Sequence, residues 1–126
     1  MSDRLLLDTH VFLWWQSNDR RLEANARAAI EAASLVHVSA ASAWEIAIKS
    51  ALGRVRLPRP FSEGVDESGF VELPVNFQHA YAVEILPPHH NDPFDRMLIA
   101  QSKVEKLVVV SHDRGLEPYG SAMIWT

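Results

Sequence analysis

Two short segments of the chain are apolar at every position, and each leads to an aspartate. Leu5-Leu6-Leu7 directly precedes Asp8, and Leu107-Val108-Val109-Val110 lies just before Asp113. Strands without alternating polar residues are typical of a parallel sheet whose two faces are both covered. The chain is therefore expected to build buried parallel strands that end in carboxylates.

Predicted strands and helices alternate along the rest of the chain. Strands are expected at residues 4–8, 35–38, 70–75, 107–111 and 122–125, and helices at 9–16, 22–33, 40–52, 61–67 and 77–86. Asp92 is expected to cap a further helix that has Pro93 at its first position. This alternation predicts an α/β sandwich, with a mainly parallel central sheet flanked by helices, and residues 1–126 are expected to form one domain.

The composition excludes several classes of protein. A hydrophobic content of 48% and a charged content of 22% are typical of a soluble globular protein. The absence of cysteine excludes disulfides and thiolate metal sites and fits a cytoplasmic location. No signal peptide or membrane span is expected, because no apolar run approaches ~20 residues. The net charge of −4 argues against general nucleic-acid binding, although a local basic patch is compatible with it.

Four acidic residues lie within or directly after apolar stretches: Asp8, Glu45, Asp95 and Asp113. An ionised carboxylate is rarely buried unless it is paired or binds a metal. In an open α/β sheet, ligands bind beyond the carboxyl ends of the strands, where Asp8 and Asp113 are expected. Because oxygen ligands favour hard cations, we expect one shared site for Mg²⁺, in which Mn²⁺ substitutes.

Each of these acids also has a structural interpretation. Asp8 could cap the helix that follows it, Asp113 could start a turn, and Asp95 could favour the positive end of its helix. Glu45 could form an exposed pair with Lys49, worth about 0.3–0.5 kcal/mol. A shared site is favoured because clustered carboxylates repel one another unless a cation compensates, and phosphoryl-transfer enzymes use such a cation.

At these same residues the sequence resembles the PIN domain and, more narrowly, the VapC toxins of bacterial type II toxin–antitoxin systems. The resemblance covers essentially the whole chain. It is carried by four segments: Leu5-Leu6-Leu7-Asp8-Thr9-His10, Ala43-Trp44-Glu45-Ile46-Ala47-Ile48-Lys49, Asp92-Pro93-Phe94-Asp95-Arg96-Met97-Leu98-Ile99-Ala100-Gln101 and Val110-Ser111-His112-Asp113.

The resemblance implies a PIN-like fold and a Mg²⁺-dependent endoribonuclease with Asp8, Glu45, Asp95 and Asp113 as its acidic quartet. It also implies a cognate antitoxin, a homodimer, and products with 5′-phosphate and 3′-hydroxyl ends. Many relatives have Thr or Ser beside the last aspartate, and Ser111 would fill that supporting role.

Basic residues are candidates for binding the RNA substrate. Lys49, Arg54, Arg56 and Arg59 lie between Glu45 and Glu63 without an intervening acid. They could follow a phosphate backbone, or they could form an ordinary solvated loop. Arg96 and Ser111 are further candidates because each lies close to a proposed ligand.

Other chemistry has weaker support in the sequence. No histidine pair has the i, i+4 spacing of a zinc motif, and the adjacent His89 and His90 cannot easily face one metal. Trp14 and Trp15 point about 100° apart on a helix, so one of them is expected in an interface.

Two alternative functions remain open. One is a non-catalytic binding module whose acidic rim docks a basic peptide or a metal. The other is a nuclease for DNA ends or flaps, which is disfavoured because the chain has no insertion long enough for a clamp.

Overall fold

The computed structural model describes residues 3–126 and contains one five-stranded sheet. The strands are β1 (Arg4–Leu7), β2 (Leu35–Ser39), β3 (Val71–Leu73), β4 (Val108–Ser111) and β5 (Met123–Trp125). Their order is β3-β2-β1-β4-β5, and every neighbouring pair is parallel. The predicted α/β sandwich with a parallel central sheet is therefore confirmed.

Six α-helices and one 3₁₀ helix surround the sheet in the described part of the chain. The α-helices are α1 (Thr9–Ser17), α2 (Ala24–Ala32), α3 (Ala40–Ala51), α4 (Phe61–Glu67), α5 (Phe77–Glu84) and α6 (Pro93–Glu105). The 3₁₀ helix, Arg114–Tyr119, was expected only as a turn. A six-residue segment that contains Gly115 and Pro118 has no apolar periodicity by which a helix could be recognised.

Polar side chains directly before the first helical residue start several of the helices. The Asp8 carboxylate accepts from the backbone N–H of Val11, and Ser39 Oγ accepts from Ala41 N. Asp92 accepts from Phe94 N and Asp95 N at 2.8 and 3.2 Å, with Pro93 in the first turn, as predicted. Each contact satisfies backbone donors that a helix start leaves unpaired.

The central strand β1 supplies apolar side chains to both faces of the sheet. Leu5 and Leu7 pack in the core beneath α1 and α2, whereas Leu6 packs on the other side with Leu98 of α6. All three leucines are at most 3% exposed. This two-sided burial explains why the strand sequence does not alternate between apolar and polar residues.

The adjacent tryptophans of α1 both pack within the chain, so their placement on one helix does not by itself require an interface, and that interface stays a prediction. Trp14 is 7% exposed, and the Nε1–H of Trp15 donates to Ser68 Oγ at 3.2 Å. The Trp15 ring also packs against Phe70. Neighbours on two sides of α1 therefore cover both directions in which the rings point.

The apolar stripe of α3 faces solvent. Trp44 is 64% exposed and Leu52 is 62% exposed, whereas Ser42 and Glu45 are buried.

Within residues 3–126, no helix is both long and apolar enough to cross a membrane.

Candidate metal centre

The candidate site lies beyond the carboxyl ends of the central strands. The chain leaves β1 toward β2 on one side, whereas β4 lies against β1 on the other side. The strand order thus reverses between β1 and β4, and ligands bind at such a point in open α/β sheets. Asp8 follows β1, and Asp113 lies just after β4.

Asp8 is held in one orientation by three hydrogen bonds. Its Oδ1 accepts from Val11 N at 2.8 Å, and its Oδ2 accepts from the Ser111 hydroxyl. Its backbone N–H donates to Val110 O. The side chain is only 4% exposed, so the carboxylate is both buried and fixed at the end of the strand.

Ser111 links two of the predicted acids. It is 0% exposed, its hydroxyl donates to Asp8, and its Oγ accepts from Asp113 N at 3.0 Å. A side chain with these contacts supports the carboxylates and is poorly placed to reach a substrate. The structure thus favours the supporting role of Ser111 over the substrate contact that was also expected of it.

Asp95 is electrostatically the most perturbed acid of the cluster. Burial, followed by the negative charges of Asp92, Asp8 and Asp113, raises its pKa to about 7, although His90 opposes this effect. Like charges disfavour ionisation of a carboxyl group, and a cation at the same place would reverse that effect. Burial and neighbouring negative charges therefore both act on the Asp95 carboxyl group.

Asp113 forms a close pair with His90. His90 Nε2 lies 2.8 Å from Asp113 Oδ2 and 3.8 Å from Asp95 Oδ2. One ligand atom from each of these three residues lies within 4.8 Å of the others. Burial acts to raise the pKa of Asp113, but hydrogen bonds from His90 and Gly115 N outweigh it and lower the pKa below its ordinary value.

Glu45 is 5% exposed and is linked to the start of α1 through Thr9. Its Oε1 accepts from the Thr9 hydroxyl at 2.7 Å, and its Oε2 accepts from Lys49 Nζ at 2.7 Å. The Thr9 hydroxyl also lies 2.9 Å from Ser42 Oγ. The predicted pair with Lys49 is therefore present, but it involves a buried carboxylate. Thr9 directly follows Asp8 in the chain, so the hydrogen bond from Thr9 ties Glu45 to the residue next to Asp8.

The sequence does not predict the contact of His90 with Asp113 or that of Thr9 with Glu45. It offers His90 only as one of two adjacent histidines in a weak zinc interpretation. The one local signal for His90 is its place in the proline-rich segment directly before α6. His112 lies with its Nδ1 3.9 Å from Asp8 Oδ2, and this carboxylate raises the pKa of His112.

The basic side chains proposed for substrate binding fall into two groups, those that are exposed to solvent and those that are bonded to other side chains of the protein. Arg54 and Arg56 are exposed, whereas Lys49 is bonded to Glu45. Arg59 pairs with Glu67 and also donates to Gln16.

The guanidinium group of Arg96 is occupied by structural contacts. Its Nη1 donates to Pro87 O and to the Tyr119 hydroxyl, each at 2.9 Å. Its Nη2 donates to Val83 O at 3.2 Å. These contacts tie the end of α5 to α6 and favour a structural role for Arg96 over substrate binding.

The donor set fits a hard divalent cation. Asp8, Asp95 and Asp113 offer carboxylate oxygens, which Mg²⁺ and Mn²⁺ prefer. Burial and the negative charges of Asp92, Asp8 and Asp113 raise the pKa of Asp95, so a positive charge at this place would be stabilising.

Known proteins share both the sequence pattern and the fold. The PIN domain family model matches residues 5–120. Ribonuclease VapC22 of Mycobacterium tuberculosis (strain ATCC 25618 / H37Rv) is 30% identical over 118 residues, which is 91% of either chain.

Three solved structures have similar folds. VapBC2 from Rickettsia felis, bound to a DNA fragment from its promoter, aligns with a TM-score of 0.70 at 8% identity and covers 96% of this chain and 97% of that one. FitAcB from Neisseria gonorrhoeae aligns with a TM-score of 0.66 at 18% identity and covers 95% of this chain and 96% of that one. A toxin–antitoxin complex from Klebsiella pneumoniae gives 0.61 at 16% identity and covers 87% of each chain. At these identities the structures establish the fold alone.

Proposed function

The chain belongs to the PIN-domain family, as a relative of the VapC ribonucleases, and on this basis we propose that it is a Mg²⁺-dependent endoribonuclease. The reaction would be hydrolysis of RNA phosphodiester bonds, leaving 5′-phosphate and 3′-hydroxyl ends. The observation that carries the proposal is the placement of Asp8, Asp95 and Asp113 at one edge of the sheet, where burial and the negative charges of Asp92, Asp8 and Asp113 raise the pKa of Asp95 to about 7. Such perturbed carboxylates are typical of functional sites.

We assign Asp8, Asp95 and Asp113 as metal ligands and place Glu45 in the same site. Mg²⁺, when bound, would activate a water molecule and offset the negative charge that builds on the phosphate. The hydrogen bonds from Val11 N and Ser111 would keep Asp8 oriented toward the cation. Glu45, bonded to Thr9 and Lys49, would maintain the negative charge at the rim.

The exposed arginines after α3 are the proposed contacts for the RNA backbone. Arg54 and Arg56 are exposed on the segment between α3 and α4, close in sequence to the Lys49 that pairs with Glu45. Basic side chains on such a segment can neutralise phosphates on either side of the cleaved bond. Lys49 would contribute at the rim itself.

We propose that the protein acts as the toxin of a type II toxin–antitoxin pair in the cytoplasm. Its fold is similar to that of a protein solved in a toxin–antitoxin complex. A small antitoxin would inhibit it by placing Arg or Lys against the acidic rim, since a basic side chain offsets the same charge as the metal.

One sheet runs from residue 4 to residue 125, which supports a single domain.

We further propose a homodimer formed through α3 and α5. Apolar stripes with a spacing of four residues are exposed along both helices and continue to the residue after each: Trp44, Ile48 and Leu52 at α3, and Phe77, Tyr81 and Ile85 at α5. A mainly apolar groove of about 380 Å³ lies between them, lined by Trp44, Val83 and Phe94 among others. Exposed apolar patches of this kind mark protein interfaces.

The test of the proposed activity is cleavage of RNA by the purified protein. A structured RNA and a single-stranded DNA of the same sequence are incubated with Mg²⁺ or with EDTA. We expect cleavage of the RNA only, only with Mg²⁺, and products that a 5′-phosphate-dependent exonuclease degrades. Binding of Mg²⁺ without cleavage of any RNA would instead support a non-catalytic binding module.

A further inference from the structure

We propose that His90 is a hydrogen-bond donor that positions Asp113 in the metal centre and is not itself a metal ligand. This inference rests on the proposed function, because it assigns a role within the same site. It concerns a residue outside the acidic quartet, and it rests on the contacts of both ring nitrogens.

The His90 residue is anchored on the side away from the cluster. Its Nδ1 lies 3.1 Å from Asp92 N, and its own backbone N–H donates to the Tyr119 hydroxyl at 3.1 Å. A backbone N–H can only donate, so Nδ1 must accept from Asp92. We therefore assign the ring proton of His90 to Nε2.

The protonated nitrogen is the one that faces the acids. Nε2 lies 2.8 Å from Asp113 Oδ2, a distance at which its N–H donates a hydrogen bond. Asp113 Oδ1 accepts from Gly115 N at 2.9 Å, so both carboxylate oxygens have a donor. An Nε2 that carries a proton has no lone pair for a cation, whereas a carboxylate oxygen that accepts a hydrogen bond still has one.

The backbone at Gly115 leaves no room for a side chain beside the His90–Asp113 pair. A Cβ atom at Gly115 would lie 2.9 Å from Asp113 Oδ1 and 3.1 Å from His90 Cδ2. Any side chain at residue 115 would therefore displace the aspartate, the histidine or both. Partners of this kind fix the orientation of a metal ligand, and their loss typically weakens metal binding by about 10–100-fold.

The first experiment is a calorimetric titration with Mg²⁺ alone. His90→Ala is expected to weaken Mg²⁺ binding by about tenfold or more, relative to wild type. His90→Gln should recover part of the affinity, because its amide N–H₂ can still donate toward Asp113. The matched control is His89→Ala, which removes the adjacent exposed histidine and should bind Mg²⁺ like wild type. Unchanged affinity in His90→Ala would overturn the proposal.

The second experiment needs no variant. Two-bond ¹⁵N–¹H correlation spectra of the imidazole rings distinguish a proton on Nε2 from a proton on Nδ1. We expect the Nε2–H pattern for His90 both without metal and with saturating Mg²⁺. A proton on Nδ1 alone would contradict the assigned tautomer and overturn the proposal, and loss of the Nε2 proton on adding Mg²⁺ would show that His90 is a ligand.

Neither experiment involves RNA, so the two proposals can fail separately. If wild type cleaves RNA with Mg²⁺ but His90→Ala binds Mg²⁺ normally, the role of His90 is wrong and the ribonuclease stands. If His90→Ala weakens Mg²⁺ binding but wild type cleaves no RNA, the positioning role stands and the ribonuclease is wrong.

Discussion

Single carboxylates in this protein have two roles at once. Asp8 caps α1 through Oδ1, while its Oδ2 faces Ser111 and the acidic cluster. Asp113 starts the 3₁₀ helix through Gly115 N and also meets His90. The structural and functional interpretations of these residues are therefore compatible, since a carboxylate has two oxygens and each can have its own partner.

Asp95→Asn is expected to stabilise the metal-free protein at neutral pH. The substitution removes one negative charge from a cluster in which like charges and burial raise the Asp95 pKa to about 7. The gain in the free energy of unfolding should be on the order of 1 kcal/mol. Thermal melts in EDTA at pH 7.5 would measure it, with Asp66→Asn, an exposed carboxylate, as the control.

The pH dependence of this gain follows from the sign of the shift. The Asp95 carboxyl group has a pKa of 3.8 in the unfolded chain and of about 7 in the folded protein. Between pH 3.8 and pH 7 the folded state therefore binds a proton that the unfolded state releases. Wild-type stability due to Asp95 is therefore present at pH 4 and is lost as the pH rises to 7. The gain of the variant should be small at pH 4, grow toward pH 7, and shrink again with Mg²⁺. A variant less stable than wild type in EDTA at pH 7.5 would mean that Asp95 mainly stabilises its helix.

Ser111→Ala is expected to impair both the site and the fold. It removes the donor to Asp8 Oδ2 and the acceptor for Asp113 N. We expect RNA cleavage to fall by at least about tenfold, and the free energy of unfolding to fall by about 1–2 kcal/mol. Cleavage rates and urea unfolding measure the two effects, with the exposed Ser50→Ala as the matched control. A cleavage rate within twofold of wild type would remove the supporting role from Ser111.

The sequence predicts site residues that stand next to strand ends and helix starts, because local spacing fixes where these are. Asp8, Asp95 and Asp113 belong to this group. His90 could not be found in this way, because its contacts with Asp113 and Tyr119 cross 23 and 29 residues of sequence. Such contacts depend on how the 3₁₀ helix packs against the segment before α6.

At the scale of elements, periodicity shows which residues share a face but not which face is buried. The apolar stripe of α3 is exposed, and its buried face contains Ser42 and Glu45. Their burial is possible because Thr9 hydrogen-bonds both side chains. The strands β1 and β4 were easier to predict, since an apolar run such as Leu5-Leu6-Leu7 or Val108-Val109-Val110 leaves no choice of face.

The exposed stripes lead to a prediction about assembly. Trp44→Glu on α3 and Ile85→Glu at the end of α5 are each expected to convert a dimer into a monomer, because a charge would be buried in the interface. Light scattering coupled to size-exclusion chromatography would measure the mass. Ala24→Glu, an exposed substitution at the start of α2, is the control and should remain dimeric. A wild type that is monomeric at micromolar concentration would exclude this interface.

At the scale of the whole molecule, the strand order gathers acids that are far apart in sequence. β1 lies between β2 and β4, so Asp8 and Asp113, which are 105 residues apart, are linked through Ser111, and α6 brings Asp95 to the same edge. The parallel sheet therefore explains why one site draws on both ends of the chain.

The oxygen-rich site predicts a pattern of metal use. Mn²⁺ should support RNA cleavage as Mg²⁺ does, because both ions accept oxygen ligands in compact octahedral geometry. Ca²⁺ should bind but support little turnover, since it prefers longer and looser coordination. Cleavage rates after dialysis against EDTA and addition of each ion would check this. Activation by Zn²⁺ alone would indicate that histidines bind the metal.

The most direct test of the account is the RNA cleavage rate as a function of Mg²⁺ concentration for wild type and Asp8→Asn. Asp8 is the best-fixed carboxylate of the site, and asparagine keeps the Oδ1 acceptor that caps α1. We predict a folded variant, verified by circular dichroism, whose cleavage is at least about 100-fold slower at every Mg²⁺ concentration. Near-wild-type cleavage by Asp8→Asn, or full wild-type cleavage in EDTA, would contradict a metal site built on these carboxylates.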